Sequence, residues 1–155
     1  MPPAKKEVRP SSRGTRTRAP AFLKNLRGVK SFKEASAWLE WRGIEDIECI
    51  TPDQAGVARG KMMPSSKFTS NTSLALPSAP FMMTISGQYP EDGNGFEYPE
   101  DDGDLKLVPD LSTLTAVPWE EDPTASVICD LVHQDGRAVE FTPRNVLKRV
   151  VAAYA

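Results

Sequence analysis

Apolar and polar positions along this chain follow two rhythms, one of about 3.6 residues and one of two, and their alternation outlines a small mixed domain of helices and strands. Phe32, Ala35, Trp38 and Leu39 recur at helical spacing. Ser31 followed by Glu34 forms a capping-box pattern and Gly43 is placed to end the helix, so a helix is expected over 32–42. Ile44–Ile50 and Val57–Met63 read as strands, and the polar stretch Pro52–Gly56 between them makes a hairpin. Pro64, Ser65 and Ser66 can start a short helix through Phe68. The following SNTSLALPSAP reads as loop until Phe81–Ile85 supplies another short apolar run, which Ser86 and Gly87 end.

The densest patterning lies between Asp104 and Val132. Leu105 and Leu107, and further on Leu111, alternate with polar residues as a half-buried strand requires. Val127, Ile128, Cys129, Leu131 and Val132 form a closer run suited to a strand covered on both faces, the better candidate for the sheet centre. Pro109, Pro118 and Pro123 donate no ladder hydrogen bond and mark where pairing stops. Asp135-Gly136 is a two-residue hairpin signal, with Val139 and Phe141 on one face and Glu140 on the other. Thr142-Pro143 opens a second helix with an apolar stripe of Val146, Leu147, Val150, Val151 and Tyr154. A stripe that runs to the last residue without a glycine cap leads to the expectation that the natural helix continues past Ala155.

Four pieces of this region, VPDLSTL, VPW, VICDL and TPRNVLKR, follow one another in the order seen in the amino-terminal domain of the glutamine synthetase family, which the chain resembles from about Phe32 to Ala155. The likeness is closest to the branch that joins glutamate to amines or polyamines, and weakest between Ser65 and Asp102. A helix against a hairpin begins a β-grasp-like unit. The expected fold is therefore α+β, a β-grasp-like mixed sheet with two flanking helices and a disordered basic tail. The tail would span 1–21, the β-grasp domain 22–142, and the start of a linker helix to a catalytic domain 143–155. The resemblance further implies ATP-dependent formation of a γ-glutamyl amide from glutamate and ammonia, an amine or a polyamine. It implies ATP and Mg or Mn in the whole enzyme, a homo-oligomer, and an active site shared with the catalytic barrel domain of the same or a neighbouring subunit.

The resemblance also picks out residues. Asp104, directly before the strand that starts at Leu105, stands where the family carries an acidic residue close to the next subunit's active site, and is the one candidate catalytic carboxylate. Thr84, Ile85, Ser86 and Gly87 stand where most ammonia-using members carry Asp-Gly-Ser-Ser. Ser86 and Gly87 are thus candidate substrate-binding residues, and the missing carboxylate suits a larger amine better than ammonium. A plain turn that needs Gly87 explains the same residues equally well.

Composition sets the remaining bounds. A chain of 155 residues, 39% apolar and 26% charged, is ordinary for one soluble domain. No apolar run approaches the roughly 18 residues needed to span a bilayer, and the basic start lacks the apolar centre of a secretory signal, so no membrane partner is expected and the location expected is cytoplasmic. The net charge of −2 conceals an asymmetry, because residues 1–30 hold nine Lys and Arg against Glu7 alone. The tail lacks aromatics for base stacking, so nucleic acid is not an expected partner and a solubilising role is preferred. Seven carboxylates between Glu91 and Asp104 require solvent or a cationic partner. DGNGFEYPEDDGD fails as a calcium loop, with Phe96 at a ligand position and Gly103 where the closing glutamate belongs. Cys49 and Cys129 are expected as buried thiols, and the only histidine, His133, as a turn residue.

No phosphate loop, nucleophile elbow, HExxH pattern or paired Cys/His set occurs in the sequence, so no metal ligand is assigned and no cofactor is expected to be held by these residues alone. Whether the chain acts as an enzyme is left open. The first reading is the amino-terminal domain of a ligase, inactive alone. The alternative is a non-enzymatic β-grasp binding or assembly module with a basic tether.

Overall fold

A computed structural model describes residues 20–70, 74–89 and 103–155. Most of the basic tail and of the acidic segment lies outside the described residues. Strands β1 (Asp46–Pro52), β2 (Ala58–Pro64), β3 (Leu74–Pro77), β4 (Asp104–Pro109), β5 (Thr115–Ala116) and β6 (Thr124–Val132) form one sheet, accompanied by helices α1 (Phe32–Arg42), α2 (Ser65–Thr69) and α3 (Pro143–Ala153). The strand order is β2-β1-β6-β4-β3, with β5 on β6. β1 and β6 run parallel, and the other pairs are antiparallel. The first strand of the hairpin thus lies parallel beside the last strand, as the β-grasp expectation requires. Among the described residues no helix is long and apolar enough to cross a membrane.

The expected hairpin is β1–β2. Asp53 shapes its turn by accepting from the backbone N–H of Ala55 and Val57 at 2.9 and 2.8 Å and from Arg59 Nε at 2.8 Å. The expected α1 starts at Ser31, whose Oγ accepts from Glu34 N at 3.2 Å. The return half of the capping box is displaced by one residue, since the Glu34 carboxylate takes the N–H of Lys30 at 2.8 Å. Gly43 ends the helix in the left-handed conformation. Ala35, Trp38 and Leu39 are buried in the core with Ile47, Cys49, Val127, Cys129, Leu105 and Leu107. Both cysteines are free and buried, as expected. Each presses on the other's chemistry, and the neighbouring Cys49 together with burial holds the Cys129 thiol far above its ordinary pKa.

β6 occupies the sheet centre, but its burial alternates strictly, with Ala125, Val127, Cys129 and Leu131 inward and Ser126, Ile128, Asp130 and Val132 half-covered. The dense apolar run therefore does not mean equal coverage of both faces, because one partner face is polar. β4 and β5 together form one interrupted companion to β6. The interruption is the 3-10 turn Leu111–Thr113, where Asp110 accepts from Ser112 N at 3.2 Å and Thr113 Oγ1 accepts from Ile128 N at 2.8 Å. A hydroxyl thus fills the gap that the turn leaves in the ladder.

Three local readings need correction. β3 lies in the stretch read as loop, because Leu74 and Leu76 alternate inward against Leu107 and Leu105 of β4. The short apolar run Phe81–Ile85 does not act as one buried element. Phe81 is buried at the end of a 3-10 turn, Ala79–Phe81, and Ile85 is 88% exposed. The Asp135-Gly136 reversal is a three-residue loop, with His133 N donating to Arg137 O at 2.8 Å and Gly136 at φ 88°. Only a bridge between Val132 and Ala138 follows it. Val139 is buried while Phe141 is exposed, since the chain turns at once into α3.

The segment before α1 straps across the 3-10 turn. Gly28 N donates to Leu114 O at 2.8 Å and Val29 N to Leu111 O at 3.0 Å. Gly28 has φ 81°, and a Cβ there would lie 2.6 Å from the backbone oxygen of Ser112. Both the conformation and the contact exclude a side chain. Gly28→Ala is expected to lower stability by about 1–3 kcal/mol, read as a lower urea midpoint at unchanged slope.

Candidate functional site

Residues of three of the four quoted motifs meet on one face of the sheet. Asp110 leaves β4, Asp130 points from the half-covered face of β6, and Arg144 lies in the first turn of α3. Arg144 donates from Nε to Asp130 Oδ1 at 2.9 Å and from Nη2 to Asp110 Oδ2 at 2.7 Å. Lys148, one helical turn on, also pairs with Asp130. Asn145, buried beside them, donates to the backbone oxygens of Leu131 and Val139 at 2.9 and 3.0 Å. The PD.ST, ICD and PR pieces are therefore parts of one clamp that fixes α3 to the sheet. A cavity of about 260 Å³ opens beside it, lined by Ile50, Thr51, Ile128 and Arg144.

The electrostatics follow from that packing. The Ser112 hydroxyl, at 2.6 Å, and the Arg144 guanidinium hold the Asp110 carboxyl below its ordinary value against partial burial. Burial works against the charge of Arg144, and the two carboxylates more than restore it. Burial likewise raises Asp53, but Arg59 and two backbone N–H groups outweigh it and the net direction is down.

A second, larger cleft of about 420 Å³ opens where β4 meets the loop after β6, and Asp104 is on its wall with Met82, Leu105, His133, Gln134 and Phe141. Gln134 ties the two walls together. Its Nε2 donates to Asp104 O at 2.6 Å, and its own backbone oxygen accepts from Lys106 Nζ at 2.5 Å. Asp135 on the rim is committed to Arg137, with Nε to Oδ2 at 2.7 Å; the Arg137 backbone N–H, then its guanidinium, pull the Asp135 carboxyl down. Asp104 is exposed and has no ion-pair partner among the described residues.

Ser86 and Gly87 do not line this cleft. They sit on an exposed turn closed by Gly87 N to Thr84 O at 2.9 Å, with Ser86 Oγ 2.9 Å from Thr84 Oγ1 and Gly87 at φ 77°. His133 is half-buried on the cleft wall, a placement its position beside a turn signal did not reveal. The clamp was also invisible as such. Its signal was the recurrence of Asp110, Asp130 and Arg144 in three separate motif pieces. Among the described residues no group of three or more His, Cys, Asp or Glu is placed to hold a metal ion.

No family model matches the chain. It is 33% identical over 127 residues to the glutamate–isopropylamine ligase of a Pseudomonas species, covering 79% of this chain and 27% of that protein. It is 32% identical over 114 residues to type-1 glutamine synthetase 2 of Dictyostelium discoideum, covering 68% of this chain and 20% of that one. A solved structure described as "GmaS/ADP complex-Conformation 1" matches 77% of this chain and 25% of its own at a TM-score of 0.60 and 23% identity, a likeness of fold. The chain thus spans about a quarter of the length of the relatives it matches.

Arg144→Met is expected to destabilise the domain by about 1–3 kcal/mol, less than for a fully buried pair because the clamp is partly solvated. The depressed Asp110 and Asp53 carboxyls contribute stability that is present above the unfolded value of about 4 and lost as pH falls through their lower folded values. Denaturation midpoints should stay level from neutral pH down to about 5 and drop below about 4, and Asp110→Asn should flatten that drop.

Proposed function

Because this chain belongs to the glutamine synthetase family, we propose that it serves as the amino-terminal β-grasp domain of an ATP-dependent glutamate–amine ligase and contributes Asp104 to an active site completed by a catalytic barrel domain. The observation that carries the reading is Asp104 itself. Of the two carboxylates on the wall of the larger cleft, Asp135 is committed to Arg137, whereas Asp104 makes no ion pair among the described residues. An uncommitted charge held by a strand is suited to attract an alkylammonium and hold the nitrogen facing the activated glutamate.

In this reading residues 22–142 form the domain and 143–155 the helix that leads toward the barrel, in a homo-oligomer working in the cytoplasm. ATP and a divalent metal are bound by the barrel, which supplies activation of the γ-carboxylate; the β-grasp residues supply charge and position. The Thr84–Gly87 turn, with no carboxylate, favours an amine carrying an alkyl group or a polyamine over ammonia. The apolar Leu105, Met82 and Phe141 around the cleft support an alkyl-bearing substrate.

The isolated chain is expected to show no turnover above a blank with glutamate, ATP, magnesium and a polyamine. In a chimaera joining this domain to the carboxy-terminal part of the Pseudomonas ligase, Asp104→Asn should lower kcat/KM for the amine by about 10- to 100-fold at nearly unchanged Tm. Asp101→Asn, from the same acidic run of sequence, should stay close to the parent. Equal, small effects of the two substitutions would remove Asp104 from the site.

A further inference from the structure

The ladder between β4 and β6 ends where Lys106 pairs with Val132. Beyond that pair the chain turns away, and His133 N donates within the following loop, to Arg137 O at 2.8 Å. Counted on in the same register, Gln134 comes to stand opposite Asp104. On its other flank Asp104 faces Pro77, which has no N–H to give. The Gln134 side chain takes the place of the missing ladder donor, its Nε2 meeting Asp104 O at 2.6 Å.

The same residue also holds a cation. Burial along β4 alternates, so Asp104, Lys106 and Val108 lie on one side of the strand, and Leu105 and Leu107 on the other. Residues two apart on one side of a strand have their bases about 7 Å apart, a gap that a lysine side chain spans. Yet neither Asp104 nor Lys106 makes an ion pair among the described residues. Lys106 Nζ donates to Gln134 O at 2.5 Å, a neutral acceptor. The other two charges beside the cleft, Asp135 and Arg137, are paired with each other.

We propose that Gln134 is a positioning residue for Asp104: it fixes the backbone that carries the carboxylate and keeps the Lys106 ammonium from neutralising it. The inference rests on the reading of Asp104 as the group that receives the amine. A freed Lys106 carries the same functional group as an alkylammonium substrate, and because it is tethered to the strand it competes at high effective concentration. The brace therefore acts on selectivity. The strand presents a carboxylate and a neighbouring cation together, and the amide and carbonyl of Gln134 decide that the carboxylate is left for the substrate. An exposed lysine–carboxylate pair is weak, so the competition takes a few-fold off the affinity for the amine and does not abolish it.

The test is steady-state kinetics of the chimaera with the Pseudomonas ligase, with n-propylamine as the varied substrate. Gln134→Met keeps the side-chain length and removes the donor. It should raise KM for the amine about three- to fivefold, at nearly unchanged kcat and Tm. Adding Lys106→Met should bring KM back to within about twofold of the parent, a rescue that the loss of a merely structural bond would not show. Lys106→Met alone should leave KM at or below the parental value. An unchanged KM in Gln134→Met, beside a large effect of Asp104→Asn, would overturn the brace and leave the reading of Asp104 standing. Asp104→Asn without effect would remove the site and this inference together. A Gln134→Met defect that persists in the double variant would show that Lys106 is not the competitor and overturn the proposal too. If circular dichroism shows Gln134→Met to be poorly folded, Lys106→Met decides by itself, and a raised KM there would count against the brace.

Discussion

Strand β6 can satisfy its backbone only if three segments distant in sequence reach it at once. β1 supplies one side from Asp46 to Ile50, β4 the far half of the other side, and β5 the near half. The two halves do not meet, and the half-buried amide of Ile128 would lose its protein partner if Thr113 Oγ1 did not accept from it. An unmet buried N–H costs on the order of 1–3 kcal/mol, a large share of the stability of a small domain. The 3-10 turn that carries Thr113, the Gly28 strap packed on that turn and the start of α3 are all arranged around this need.

The clamp of Arg144 with Asp110 and Asp130 extends the same logic to the outer face. The turn that interrupts the ladder also orients Asp110, which is capped by Ser112 and therefore available to the helix at a fixed angle. A planar guanidinium can serve two carboxylates at once, which lysine could not do with the same geometry. One consequence is unusual for an amphipathic helix. Because charge, not apolar surface, secures α3 to the sheet, its apolar side is left for something else.

The cleft at Asp104 depends on these supports at one remove. Its walls are β4 and the loop after β6, held together by Gln134 and Lys106, and β4 keeps its register through Leu105 and Leu107 in the core. Family membership and the β-grasp order of strands agree with one another, and the exposed carboxylate sits where a rigid strand meets a loop, the arrangement that lets a charge be placed accurately without being buried.

Local chemistry alone determined α1 with its serine cap and left-handed glycine, the β1–β2 hairpin, the centrality of β6, the start of α3 and the burial of both cysteines. Each of these is set by side chains within a few residues, where spacing and capping act directly. Tertiary structure alone decided the rest. β3 and β5 are too short to be stable or visible without β4 and β6, and four residues of Leu-Ala-Leu-Pro carry too little pattern to stand out from a loop. Phe81 is apolar in either reading, and only the core shows that it closes a turn. The direction of the α3 stripe could not be read from its periodicity, because a helical pattern identifies the apolar side but not which side finds a partner. That choice was made by Asp110 and Asp130, thirty-four and fourteen residues away from Arg144 in sequence.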